Sequence, residues 1–270
     1  MKSSIIALLT DFGDQDFFVA SMKGVIAGIH PGSRIIDITH RVPSHDVDAA
    51  GFILFAVCGY FPAGTVFLTV VDPGVGTDRR ILLAEAAERF FIAPDNGVLS
   101  RVLDRGNARV RRIIPHEFSL SRVGRTFEGR DVMAPAAARL AAGAAREEFG
   151  PVIVDYKRRP AGDADERRDR VTGRIVYQDK FGNMITNITE ETAGRFARRI
   201  DRPVVIRASE RSIPAGEGYT SVGRGEALFV TGSLGYLEIA VREGSAAERL
   251  GMRVGDSVDL VPVPLKEKET

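Results

Sequence analysis

The chain has 270 residues, 44% of them hydrophobic, enough for one large core or two modest ones. With 37 Lys and Arg against 36 Asp and Glu, the net charge of +1 supplies no field to recruit nucleic acid or an anionic membrane. No apolar run reaches a membrane span, no signal peptide opens the chain, and the single Cys58, set in an apolar run, suits a buried inert thiol in a cytoplasmic protein.

In chain order, residues 5–9 read as an apolar strand running into Thr10-Asp11-Phe12-Gly13, and 17–29 as a helix stopped by His30-Pro31-Gly32. A second strand, 34–36, runs into Asp37, and a second helix, 47–60, stops before Pro62. The β-branched run 65–71 breaks abruptly into Asp72-Pro73-Gly74-Val75-Gly76, and strand 90–93 breaks into Pro94-Asp95-Asn96-Gly97. Asp-Pro-Gly is a good turn on its own. Four apolar strands each ending in an aspartate are more than turn chemistry requires, and on one edge of a parallel sheet they would gather carboxylates around a crevice. An alanine-rich helix over 134–145 follows the loop Thr126-Phe127-Glu128-Gly129-Arg130-Asp131.

Strands alternating with helices over residues 1–156 predict an α/β domain with a mostly parallel sheet flanked by helices. Residues 157–170 hold almost nothing to bury and read as a linker. From 171 to 265 the pattern changes to short strands with turn signals at 171–177, 184–188, 203–207, 227–230, 236–241 and 257–261, without long helices, which predicts a small all-β barrel-like domain.

Common chemistries find little support. Asp37, His40, His45, Asp46 and Asp48 crowd together but lack metal-ligand spacing. The glycines at 74 and 76 form neither a phosphate loop nor a dinucleotide fingerprint, and no Gly-x-Ser-x-Gly elbow is present.

Several segments, in order along nearly the whole chain, do carry a resemblance: Leu8-Leu9-Thr10-Asp11-Phe12-Gly13, Asp37-Ile38-Thr39-His40, Val71-Asp72-Pro73-Gly74-Val75-Gly76-Thr77, Ala93-Pro94-Asp95-Asn96-Gly97, the loop at Phe127, Phe181-Gly182-Asn183 and Gly235-Tyr236-Leu237-Glu238-Ile239-Ala240. Together they resemble the S-adenosylmethionine hydrolases, or hydroxide adenosyltransferases, relatives of the fluorinase and chlorinase. The resemblance implies hydrolysis of S-adenosyl-L-methionine to adenosine and L-methionine with no metal or other cofactor. It also implies a homotrimer with each site built between neighbouring subunits. Position by position, Asp11 matches the carboxylate that holds the ribose hydroxyls, and Phe181, Asn183 and Tyr219 match the adenosine-binding wall. Ser233 and Glu238 match ligand contacts, Asp179 suits the methionine ammonium, and the Val241 backbone suits adenine.

The family's water-activating set is an aspartate, an arginine seven residues later and a histidine after the loop phenylalanine. Asp72 and Arg79 match the first two, while Glu128, following Phe127, stands where the histidine is expected. Glu128 beside Asp72 would place two like charges together unless Arg79 or Arg130 offsets them. Such a pair also opposes an anionic nucleophile, by about 4 kcal/mol per charge at roughly 4 Å and an effective dielectric near 20. The halogenases carry tyrosine where this chain has Asp72 and serine where it has Gly129. Two other readings stay open on sequence alone: a non-catalytic binder of S-adenosylmethionine or adenosine, and a halogenase.

Overall fold

The computed structural model describes residues 4–104, 106–120, 126–160, 162–208 and 210–264. Residues 1–3, 105, 121–125, 161, 209 and 265, included in the expected domains and linker, lie outside that set. The chain divides into two units, Met1–Pro160 and Ala161–Thr270.

Six strands form the sheet of the first unit: β1 (Ile5–Thr10), β2 (Arg34–Thr39), β3 (Val66–Val70), β4 (Ile81–Ala86), β5 (Arg89–Pro94) and β6 (Arg109–Arg112), in the spatial order β2-β1-β3-β5-β4-β6. The four strands that run toward aspartates, β2, β1, β3 and β5, are the parallel ones, and β4 runs antiparallel between β5 and β6. β3 is buried at all five positions, as a strand covered on both faces must be. Helix α1 (Phe18–Ile29) and the helix Ala134–Ala141 cover one face, packing Met22, Ile26, Ala137 and Leu140 against Ile6, Leu8 and Leu68. Helix α2 (Val47–Cys58) packs on β1 with Phe52 and Leu54 buried, and Asp46 caps it by accepting the Ala49 N–H at 2.9 Å. Cys58 is buried at its end.

Residues 157–170 are engaged at both ends. The Lys157 N–H donates to Asp95, the Arg159 N–H donates to Ser100, and the Arg159 guanidinium grips Asp48 through two bonds of 2.9 and 2.6 Å. Farther on, β7 (Asp165–Glu166) pairs with the next strand.

The second unit is an antiparallel sheet made of β7 with β8 (Val171–Gln178), β9 (Met184–Thr189), β10 (Val204–Ala208), β11 (Arg211–Pro214), β12 (Ala227–Thr231), β13 (Tyr236–Val241) and β14 (Ser257–Pro262). Its path runs β11-β10-β14-β8-β9-β13-β12, and a bridge between Ala215 and Phe229 joins the outer strands, so the barrel is nearly closed. Ile175, Met184, Ile206, Ile239 and Leu260 fill it. One expectation is corrected. Glu190–Ile200 is an eleven-residue α-helix with a Thr189 cap, two acids in its first turn and two arginines in its last. Those are start and stop signals matched to the helix dipole, and Phe196 and Ala193 supply its buried stripe. No helix among the described residues is long and apolar enough to cross a membrane.

Candidate active site

β1 and β3 run out side by side, in the register Thr10 beside Val70, so the residues that follow each strand emerge together. Asp11 follows β1, and its Oδ2 accepts the backbone N–H of His45 at 2.9 Å. Asp72 follows β3 and turns the chain: its Oδ1 accepts the Gly74 N–H at 3.1 Å, while Thr77 donates to the Gly74 carbonyl at 2.7 Å. This compact loop returns Arg79 onto Asp72, where Nε donates to Oδ2 at 2.7 Å and Nη2 also reaches the same oxygen.

The third member arrives from another element. Residues Gly129–Met133 form a π-helical turn that leads directly into Ala134–Ala141, and Glu128 stands at its start. Gly129 lets this turn approach β3, because a Cβ there would sit 3.1 Å from Val70 Cγ1. Glu128 Oε2 then meets Arg79 Nη2 at 2.5 Å. One guanidinium therefore lies between two carboxylates, and the side chains of Asp72, Arg79 and Glu128 are 5%, 6% and 11% exposed. Arg130 instead pairs with Asp131 and lies over the Phe127 ring at 4.8 Å, so Arg79 is the residue that offsets the like charges.

Asp11, Asp72, Phe127 and Glu128 line one cavity of about 330 Å³, while Arg79, with Glu128, lines a second cavity of about 600 Å³. Phe12, Phe18, Ser44 and His45 line the first cavity too. On sequence alone Phe12 belongs to a family-like segment and His45 is weighed for a metal, but none of these four is assigned to the ligand site, although the adjacent Phe17-Phe18 opening a helix beside a polar loop are an unusual place to spend apolar surface. His45 has φ +67, a left-handed backbone that is uncommon outside glycine and that here aims its N–H at Asp11.

The expectation that four strand-end aspartates share the crevice is corrected to two. Asp37 lies within β2 opposite Leu8, and bridges Lys23 at 2.6 Å and His40 at 3.1 Å. Asp95 is buried and held by Arg80 at 2.8 Å and the Lys157 N–H at 2.7 Å. The crowd between residues 37 and 48 thus separates into an ion-pair bridge, a helix cap and the Asp48–Arg159 pair. Among the described residues no three His, Cys, Asp or Glu side chains gather as a metal site.

In the second unit all seven expected residues, Asp179, Phe181, Asn183, Tyr219, Ser233, Glu238 and Val241, line a single cavity of about 990 Å³. Asp179 organises the β8–β9 hairpin by accepting the N–H groups of Phe181 and Asn183 at 2.8 and 2.9 Å and the Asn183 amide at 3.0 Å. That turn needs glycine at 182, where φ is +84 and a Cβ would collide with Ser245. It leaves Phe181 65% exposed, with Lys180 over its ring at 4.7 Å. Tyr219 donates to Glu238 Oε1 at 2.8 Å. Burial first, then the bond to Glu238, pushes the Tyr219 hydroxyl up to about 12. Burial, helped by the charge of Asp179, raises Glu238 above the ordinary carboxylate range. Arg242 and Glu243 line the same cavity and were not anticipated.

The raised Glu238 has a consequence for stability. Its folded state holds the proton more tightly than its unfolded state, so its stabilising contribution is present at acid pH and is lost as pH rises through the raised value. Glu238→Gln should therefore melt at a higher temperature than wild type at pH 8 and at the same temperature at pH 4. Equal melting curves at both pH values would contradict this electrostatic cost.

Comparison with known proteins agrees with this geometry. Residues 6–150 match the family profile described as the SAM hydroxide adenosyltransferase N-terminal domain, and residues 173–259 match its C-terminal domain. The chain is 34% identical over 268 residues to the (R)-S-adenosyl-L-methionine hydrolase of Thermus thermophilus, covering 95% of this chain and 99% of the relative. It is 35% identical over 257 residues to the protein of the same name from Salinispora tropica, covering 93% and 95%. A crystal structure of an uncharacterized conserved protein from Thermotoga maritima superposes with a TM-score of 0.87 at 34% identity, covering 95% of this chain and 99% of that one. Two domain profiles in order, full-length relatives and a matching fold place the chain in the SAM hydroxide adenosyltransferase family.

Proposed function

We propose that the chain hydrolyses S-adenosyl-L-methionine to adenosine and L-methionine, with water attacking the ribose C5′ carbon and no metal or other cofactor taking part. The observation that carries this reading is the buried Asp72–Arg79–Glu128 cluster, whose two carboxylates face the cavity that Asp11 also lines. In this reading Asp11 accepts the ribose hydroxyls, which fixes C5′ near the cluster.

The sulfonium is already a good leaving group, so the protein has little to supply beyond in-line placement and a proton acceptor. The water oxygen bonds to C5′, the C5′–S electron pair returns to sulfur as a neutral thioether, and the water's proton passes to a carboxylate and then to solvent. We assign that proton to Glu128. Both oxygens of Asp72 are engaged by Gly74 and Arg79, which makes Asp72 the group that positions the water. Two carboxylates around one guanidinium keep a net negative charge, which opposes halide and sets the site apart from a halogenase.

The second-unit cavity supplies the remaining contacts: Phe181, Asn183 and Tyr219 for adenosine, the Val241 backbone for adenine, and Ser233 and Glu238 for the ligand's polar edge. Asp179 meets the methionine ammonium with lone pairs that remain beyond its hairpin bonds. We also propose a cytoplasmic homotrimer in which each site draws the first unit from one subunit and the second from its neighbour, as the family resemblance implies.

The direct test incubates purified protein with S-adenosylmethionine and follows adenosine and methionine by chromatography. Equimolar adenosine and methionine support the reading, whereas binding without either product would leave a binding protein. The shared site has its own test. Asp72→Asn and Asn183→Ala chains, each inactive alone, should recover about a quarter of wild-type activity when unfolded together and refolded as mixed trimers, since one site in four then has both intact halves. No recovery in mixed trimers would contradict sharing.

A further inference from the structure

The first-unit cavity has an aromatic side that the proposed chemistry does not use. Phe12, Phe18 and Phe127 all line it and touch one another: the ring centroids of Phe18 and Phe127 are 5.3 Å apart at 88°, those of Phe12 and Phe127 are 5.8 Å apart at 81°, and those of Phe12 and Phe18 are 5.4 Å apart. All three rings are partly exposed, and Phe12 and Phe127 also pack against the buried core of the first unit. Asp11, Asp72 and Glu128 line the same cavity; Arg79 bridges the last two, while Arg130, neutralised by Asp131, lies over the Phe127 ring at 4.8 Å. Aromatic rings together with surplus negative charge form a surface that suits a soft organic cation with apolar substituents. They do not suit an anion or a strongly hydrated ammonium.

Resting on the hydrolase reading, we infer that the Phe12–Phe18–Phe127 wall recognises the methylated sulfonium itself, so that the cavity selects its ligand by the charge on sulfur. In-line displacement places the sulfur on the side of C5′ away from the attacking water. With the water held by Asp72 and Glu128, we place the leaving sulfonium against the aromatic rings that line the same cavity. Breaking the C5′–S bond turns the sulfonium into a neutral thioether, and the attraction to the rings disappears with the charge. The wall therefore holds substrate and lets product go. Phe18 is a specificity residue on this account, in contact with the group that leaves.

The test uses two unreactive ligands on the full-length chain. S-adenosylhomocysteine has a neutral thioether at the position in question, and the analogue with a methylated nitrogen in place of the sulfonium is protonated there at pH 6. Wild type should bind the cationic ligand more tightly, and Phe18→Leu should cut the affinity ratio by about 3- to 30-fold, the range for a cation over an aromatic face. Phe18→Tyr, which keeps a ring, should preserve the ratio. A graded series of ring-fluorinated phenylalanines at position 18 should weaken the cationic ligand stepwise and leave the neutral one unchanged. Equal loss for both ligands in Phe18→Leu, or a flat fluorination series, overturns the inference and assigns the rings to shape alone. Because neither ligand reacts, a protein that shows the charge preference yet turns over no S-adenosylmethionine sinks the hydrolase reading and keeps this one. A protein that binds neither ligand sinks both.

Discussion

Arg79→Met should destabilise the protein by about 3–5 kcal/mol, because it removes the cation from between two carboxylates that are almost fully buried. Methionine fills much of the same space, so the loss reports charge more than packing. Urea denaturation at neutral pH measures it. The triple variant Arg79→Met, Asp72→Asn, Glu128→Gln removes all three charges and should regain most of the lost stability, since the three side chains form one network and their effects do not add. Stability within about 1 kcal/mol of wild type for the single variant would mean that water reaches the cluster and screens it as it would a surface pair.

Glu128→Gln keeps the shape of the side chain and removes its ability to take a proton. If Glu128 is the main proton acceptor, kcat should fall by roughly 10²- to 10⁴-fold with little change in KM. A fall of less than about tenfold would pass the role to Asp72. The cluster then carries one negative charge fewer, so chloride becomes a less opposed nucleophile. Hydrolysis should still dominate, because Asp72 keeps a carboxylate at the site. Glu128→His restores the histidine that the family resemblance implies at this position and should keep or raise hydrolysis. The π-helical turn beginning at Gly129 holds position 128 against Arg79, and that backbone is unaffected by the substitution.

Much of this site could be read in the sequence because its parts are local signals. A β-branched strand stopping at Asp-Pro-Gly announces both the sheet edge and the carboxylate, and the same break after β1 announces Asp11. The return of Arg79 onto Asp72 also follows from a short loop whose turns are encoded by Asp72, Gly74 and Thr77. Asp37 and Asp95 carry the same local signal but are held elsewhere, because Lys23, Arg80 and Lys157, which join the nearby His40 in holding them, come from other parts of the chain. Sequence offered Arg79 or Arg130 as the counter-charge to Glu128, and only the packing of the π-helical turn onto β3 decides for Arg79. Phe18 escaped notice for a different reason: at the start of an amphipathic helix a phenylalanine reads as core. The helix Glu190–Ile200 was missed despite clear caps, since the surrounding rhythm of short strands outweighed a strongly charged segment with few apolar positions.

The central claim is direct attack of water on C5′, with the carboxylates acting through the water and never on carbon. A single turnover in ¹⁸O water, with enzyme in excess over S-adenosylmethionine, separates the two cases. Direct attack predicts one ¹⁸O atom in the 5′-hydroxyl of the adenosine formed and none in the protein. If Asp72 or Glu128 attacked C5′ first, water would then cleave the resulting ester at its carbonyl, leaving ¹⁶O in adenosine and ¹⁸O in the carboxylate. Unlabelled adenosine together with a labelled peptide containing Asp72 or Glu128 would contradict the account.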